Sequence, residues 1–360
     1  MNITVVGGGN IGTQFAVHFS EYGDRVTIFT SKPSKFSKCL SIVDENENII
    51  HKGEIYLATD DGGLAFADAD LIFVTVPAYL MNSMSEKMLP YMREGMKICL
   101  VPGTGGGECA FKKCIEKGCI LFGLQRVPSV ARLVEYGKQV RCIGYRDELL
   151  VGAIPKKYTG ECAEIISNVF SKKVIASPNY LTLTLTPSNP ILHTTRLRIL
   201  FKDYTKGKYY TRLPLFYEEW NDESSELIFK CDDELQILCN MLTEFDLSNV
   251  KSLKLHYESD TVKQLTNKIR SIKGFKGLET PGIKTPNGYL PDFSSRYFTA
   301  DFSFGLSIIK QIMDFVGMDG RNCKETLDWY YKLITNSTDE FKYSDYGIKD
   351  YESFIKFYNC

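Results

Sequence analysis

The stretch Ile3-Thr4-Val5-Val6-Gly7-Gly8-Gly9-Asn10-Ile11-Gly12 decides how the rest of the chain is read. Four apolar or β-branched residues predict a buried strand. Three glycines follow, and Ile11, Phe15, Ala16 and Phe19 then recur at helical spacing until Gly23 stops the run. Gly7, Gly9 and Gly12 complete G-x-G-x-x-G. The first glycine permits a tight turn, the second lets the backbone approach a pyrophosphate, and the third lets helix and strand pack closely. The helix start offers free N–H groups and a positive dipole end to that anion. Alone the glycine pattern is weak, but a strand before it and a helix after it specify a dinucleotide site. The expected cofactor contacts are Gly7, Gly8, Gly9, Asn10, Ile11 and Gly12, with Val76 and Pro77 at the carboxyl edge of a later strand.

Strands and helices continue to alternate through the first half. Arg25–Thr30 reads as a strand, and Ile42-Val43, a polar turn over 44–48 and Ile49–Leu57 read as a hairpin inserted in the crossover. Leu71–Val76, Lys97–Val101, Ile120–Leu124 and Gln139–Gly144 follow as strands, with a helix over Tyr79–Met92. Such alternation implies right-handed βαβ units, a Rossmann-type α/β domain with a doubly wound parallel sheet. The texture changes near position 180. Leu227–Phe245, Thr261–Ser271, Phe304–Val316 and Cys323–Thr335 carry helical periodicity, and glycine and proline gather in a long loop from Gly274 to Pro291 whose length suggests function. The expected division is 1–180 for the dinucleotide domain and 181–360 for an all-helical domain.

Bulk properties narrow the classes. The 360 residues suffice for two cores. With a net charge of −1, no global field draws in nucleic acid or anionic lipid. The most apolar stretch, 71–81, contains Pro77 and falls short of the ~18–20 residues that span a bilayer. No signal peptide is expected at the N-terminus. The 11 cysteines are scattered without a CxxC pair, so free thiols in a reducing cytoplasm are expected and no metal site.

The acid that would bond a ribose 2′-OH, about 20 positions beyond the glycines at the end of the second strand, is missing. Thr30, Ser31 and Lys32 stand there, with Lys35 behind. Hydroxyls and a lysine accept a 2′-phosphate, which predicts NADP over NAD; alternatively the lysines are solvated loop charges.

Ionisable groups for chemistry lie further on. His193 follows a turn bracketed by Pro187 and Pro190, and histidine suits proton transfer near neutral pH. His18, His51 and His256 sit in contexts without such promise. Arg296 and Asp301 flank Tyr297-Phe298-Thr299-Ala300. Arginine can grip a carboxylate through a bidentate fork and aspartate can orient an imidazole, although a surface ion pair between them would also explain the pair. Phe216, Tyr217 and Trp220 either line a pocket for an amine or belong to the core.

These residues carry a resemblance. The glycine fingerprint, Pro102-Gly103-Thr104-Gly105-Gly106, Arg132 followed by Gly137-Lys138, Asn189-Pro190-x-x-His193, and Arg296-Tyr297-Phe298 leading to Asp301 and Gly305-Leu306 resemble the opine dehydrogenases of the octopine/nopaline type. The resemblance implies that His193 is the catalytic acid/base, Asp301 its partner, and Arg296, with Arg132, a substrate-binding residue. It implies reductive joining of an amino acid to a 2-oxo acid by NAD(P)H, with those small molecules as partners and a homodimer as the assembly considered. Ala300, Ser303 and Thr194 depart from the family pattern, which bears on the amino acid accepted. Two other readings remain open: a ketopantoate-reductase-like enzyme acting on a 2-oxo or 2-hydroxy acid, and a non-catalytic dinucleotide sensor.

Overall fold

The computed structural model describes residues 1–334 and 340–360. The chain divides into two compact units: Met1–Thr184 together with Phe354–Cys360, and Leu185–Ser353. The division falls four residues beyond the expected 180/181 boundary. The last seven residues, expected in the helical domain, pack with the sheet unit instead. There the Tyr358 hydroxyl donates to buried Glu108 at 2.6 Å, and the Lys156 N–H donates to the Cys360 carbonyl at 2.8 Å. The Thr184 hydroxyl donates to the same Glu108 oxygen at 2.5 Å, and burial pushes the Glu108 carboxyl above the usual range.

The sheet unit contains β1 (Asn2–Val6), β2 (Arg25–Phe29), β3 (Cys39–Val43), β4 (Ile49–Glu54), β5 (Leu57–Thr59), β6 (Leu71–Val74), β7 (Lys97–Leu100), β8 (Ile120–Leu124), β9 (Ser129–Glu135), β10 (Gln139–Tyr145), β11 (Glu148–Ile154) and β12 (Lys173–Ala176). Eight of these form the main sheet in the order β12-β11-β8-β7-β6-β1-β2-β5. Its six strands from β8 to β5 are parallel, as the alternation predicts, but β11 runs antiparallel to β8 and carries β12 with it. The Ile42–Leu57 hairpin forms as β3 and β4, although β5 leaves it to join the main sheet beside β2. Gln139–Gly144, read as another βαβ strand, lies instead in a second sheet of order β4-β3-β10-β9.

That second sheet explains the burial of the first helix, α1 (Asn10–Glu21). It packs on β1 and β2 on one side and on β3, β4 and β9 on the other. Residues 12–17 and Phe19 are therefore all buried, although a helix against one sheet would hide only a stripe. Phe15 and Phe19 meet Phe73 and Phe170 at ring-centroid separations of 4.9–5.6 Å in the core beneath.

The second unit holds the helices Ser188–Leu200, Asp222–Met241, Val262–Ser271, Ser307–Phe315 and Arg321–Leu333. Thr261 and Gln264 close the start of one of them with a capping box. Asn221 caps Asp222–Met241 five residues ahead of the expected start. Helix Arg321–Leu333 stops short of Thr335, which lies outside the described residues. The Gly274–Pro291 segment is not loop throughout: Gly282–Thr285 and Gly288–Pro291 pair as a hairpin. Among the described residues no helix is long and apolar enough to cross a membrane.

A Cβ added at Gly12 would sit 1.8 Å from the Gly7 carbonyl oxygen, which no rotamer relieves. Gly12→Ala is expected to cost about 1–3 kcal/mol of the sheet unit's stability, read by urea denaturation; an unchanged midpoint would show that loop and helix separate freely.

Candidate active site

The nucleotide cleft lies wholly in the sheet unit, a space of about 710 Å³ at the carboxyl edge of the parallel strands. Of the residues expected to contact the cofactor, Gly7, Gly8, Gly9, Thr30, Ser31, Val76 and Pro77 line it. Gly7 has φ +104°, open to glycine at no cost. A Cβ at Gly9 would meet nothing within 4 Å, so the second glycine faces free space. Gly9 precedes α1 with no side chain capping the helix start and no acid in the first turn. A cradle of open glycine, uncapped amides and hydroxyls fits a dinucleotide pyrophosphate and ribose.

Other expected contacts stand further back. Asn10, Ile11, Gly12 and Lys32 do not line the cleft. The Asn10 Oδ1 accepts the Leu133 N–H at 2.8 Å, which ties α1 to β9. Lys32 Nζ sits 5.9 Å from the Tyr136 ring centre, and the Tyr136 hydroxyl lies 3.3 Å from Thr30 Oγ1 at the cleft wall. Asp60 and Lys87, which the sequence reading passed over, do line the cleft. The acid sought at the end of β2 stands one strand over: the Thr30 N–H donates to Thr59 at 2.9 Å, bringing the end of β5 and Asp60 alongside.

His193, Asp301 and Arg296 all belong to the helical unit. His193 projects from helix Ser188–Leu200, whose first turn carries Pro190, where a missing N–H is least costly. Asp301 stands just before a π-helical turn, Phe302–Leu306, closed by the Leu306 N–H on the Asp301 carbonyl at 2.8 Å. Such turns redirect side chains and recur at functional sites. Gly305 lets this turn approach Pro190: an added Cβ would lie 3.1 Å from the proline ring. Helix and turn thus meet where the His193 Nδ1 and the Asp301 Oδ2 lie 2.7 Å apart, with side-chain exposures of 4% and 14%.

Arg296 makes no ion pair with Asp301, nor with any other acid among the described residues, so the surface salt bridge is not formed. In a helical path five residues turn the two side chains to different sides. The Arg296 guanidinium is exposed and lies 5.6 Å over the Tyr297 ring, and that ring stacks 4.4 Å from the His193 imidazole. Arg132 is exposed on β9 in the sheet unit, its Nη1 donating to the Ala131 carbonyl at 2.9 Å.

The second imidazole nitrogen has a partner too: Nε2 lies 2.7 Å from the Tyr217 hydroxyl. Phe216, Tyr217 and Trp220 are all buried, and a complete set of contacts holds Tyr217 in place. Its ring stacks on Phe275 at 4.0 Å and, at an interplanar angle of 9°, on Trp220. The Phe216 N–H donates to the Leu278 carbonyl at 2.8 Å, so the glycine-rich segment acts as a brace. Arg196, one turn beyond His193, is buried beneath: Nε donates to the Phe216 carbonyl, Nη2 to the Glu219 carbonyl, and Nη1 to Asn221 and Ser224. Burial lowers its pKa to about 10. Arg196 stands at i+3 from His193 on the same helix, a spacing that could have drawn attention to it, whereas no spacing links Tyr217 to His193, 24 positions away.

Residues 176–334 match the family model described as NAD/NADP octopine/nopaline dehydrogenase, alpha-helical domain, and residues 3–134 match that of ketopantoate reductase PanE/ApbA. Among curated relatives, the opine dehydrogenase of Haliotis discus hannai is 26% identical, over 96% of this chain and 94% of its own. The tauropine dehydrogenase of Arabella iricolor is 23% identical, over 92% and 91%. Among solved structures, octopine dehydrogenase with NADH and L-arginine superposes with a TM-score of 0.85 at 20% identity, covering 99% of this chain and 98% of that one. These likenesses span both units, whereas the ketopantoate reductase model reaches only the nucleotide half.

Replacing Arg196 with Met strands the buried Phe216 and Glu219 carbonyls. A loss of about 2–5 kcal/mol in the helical unit is expected, with the Tyr217 environment altered in near-ultraviolet circular dichroism. A variant of native stability and spectrum would show that the 216–221 turn holds itself.

Proposed function

We propose, for a chain whose residues 176–334 match the octopine/nopaline dehydrogenase helical-domain model, that it joins an amino acid to a 2-oxo acid by reductive condensation. The observation that carries this reading is the buried His193–Asp301 pair, an imidazole oriented by a carboxylate. The amine and the oxo-acid carbonyl condense with loss of water to an imine, and reduction of its carbon yields an N-(1-carboxyalkyl) amino acid. The reduced pyridine nucleotide supplies the hydride when bound. Asp301 holds the Nδ1–H of His193, so the imidazole can carry a proton toward the carbonyl oxygen and its charge is compensated. Arg296, exposed and without an acidic partner, takes the oxo-acid carboxylate and fixes its orientation. Arg132 is assigned to substrate binding from the same resemblance.

The nucleotide preferred is NADP(H). Lys87 in the cleft wall and Lys32 near its rim supply cations for a 2′-phosphate, and Asp60 opposes it. The eleven cysteines are free, which suits a cytoplasmic enzyme. A ketopantoate-type reductase has the match over residues 3–134 in its favour, and amine dependence separates it.

The test crosses a panel of amino acids with pyruvate, 2-oxoglutarate and glyoxylate, following reduced-nicotinamide absorbance. L-arginine and pyruvate, ligands in octopine dehydrogenase structures, head the panel. Oxidation should require both substrates, and oxidation with an oxo acid alone would discard the reading. His193→Ala should lower turnover at least ~10²-fold while dinucleotide binding, read by nicotinamide fluorescence, persists; a fully active variant removes His193 from the chemistry.

For the cofactor, Lys87→Ala should weaken NADPH binding several-fold and leave NADH unchanged, and Asp60→Asn should tighten NADPH. Tighter binding of NADH than NADPH by the wild type would reverse the assignment.

A further inference from the structure

The carboxylate–imidazole pair leaves one question unanswered: how a proton reaches substrate from a ring with no open nitrogen. Nδ1 is bound to Asp301 and Nε2 to the Tyr217 hydroxyl, each at 2.7 Å, and the imidazole is 3% exposed. We infer that Tyr217, itself 3% exposed, is the group that passes the proton between His193 and substrate, the third member of an Asp301–His193–Tyr217 relay. This rests on the function proposed above and names the residue that touches the reacting oxygen.

Three observations support it. The hydroxyl meets the one imidazole nitrogen that Asp301 leaves for proton transfer. The Tyr217 ring is held by Phe275, Trp220 and the Arg196-bound turn, so the bond is a built feature of the unit. The neighbouring tyrosine, Tyr297, covers the imidazole face and carries the Arg296 guanidinium, so the carboxylate-binding cation belongs to the same ring cluster. Burial, together with Tyr297 and Asp301, pushes the phenol far above its ordinary range, so Tyr217 does not store a charge.

The step is therefore concerted. The substrate oxygen takes the phenolic proton as the Tyr217 O–H bond breaks. The Nε2–H bond of the imidazolium breaks in the same event and a new phenolic O–H forms. One proton moves from imidazolium to substrate, His193 ends neutral, and Nδ1–H stays on Asp301. After the amine attacks the carbonyl carbon, its nitrogen-bound proton returns to His193 through Tyr217, and the recharged imidazolium then protonates the hydroxyl, which leaves as water.

The experiment compares wild type, Tyr217→Phe, His193→Ala and the double variant with pyruvate and the amino acid most active in the panel. A wild type without amine-dependent turnover ends the opine reading. With an active wild type, Y217F should lower kcat about 10²–10³-fold with KM within threefold and dinucleotide binding intact. The double variant should be no slower than H193A alone, because relay members act as one unit. Y217F retaining kcat within threefold, or losses that multiply in the double variant, overturns the relay and leaves the reading standing. Should Y217F fail to fold, 3,5-difluorotyrosine at position 217 keeps the ring and hydroxyl while making the phenol more acidic. A relay then moves the pH profile of kcat to lower pH, and an unmoved profile overturns it.

Discussion

The bond between the His193 imidazole and the Asp301 carboxylate joins segments 108 positions apart, and much of the helical unit is arranged so that it forms. Its two partners come from elements with different constraints. His193 is set by the regular pitch of a helix entered at Pro190. Asp301 is set by a π-helical turn, where one extra residue re-aims the side chain. The contact of Gly305 with that proline brings the two together. A nearly buried imidazole with one unpaired N–H would lose about 1–3 kcal/mol, so the geometry that orients the ring also stabilises it.

Around this bond the unit is unusually rich in stacked rings. Phe216, Tyr217 and Tyr297 flank the imidazole, and Trp220 and Phe275 stack on Tyr217 behind them, excluding water and lowering the local dielectric. In such surroundings a proton held between His193 and its neighbours interacts more strongly with the Asp301 charge than it would in solvent. The sheet unit has the opposite character. Its cleft is walled by glycine backbone, hydroxyls and a mixture of charges, a surface for binding a long anion and not for moving a proton.

The parts of the fold that follow from short-range periodicity were legible in the sequence. β1, β2, β7 and β8 are buried on both faces and read as continuous apolar runs, and α1 announced itself through the glycines before it. The strand β10 was misassigned because its alternation looks the same whether it joins a parallel sheet or an antiparallel one. The direction of β11 and β12 depends on how the chain crosses after β8, which no residue spacing encodes. His193, Asp301 and Arg296 were found through motif and chemistry. Tyr217 was seen only as an aromatic residue, since a phenol reaches an imidazole across folded space at no fixed interval. Asp60 is hidden from sequence for a related reason: it follows not β2 but β5, the strand paired beside it.

The return of Phe354–Cys360 to the sheet unit sets an order on synthesis. The helical unit has all its residues once Ser353 has left the ribosome. The sheet unit, begun first, still lacks the segment whose Tyr358 meets Glu108 and whose Cys360 carbonyl receives Lys156. The later-encoded unit thus has its full set of residues before the last segment of the earlier one is made. A nascent chain therefore carries His193, Arg296 and Asp301 before the last segment of the sheet unit has been added.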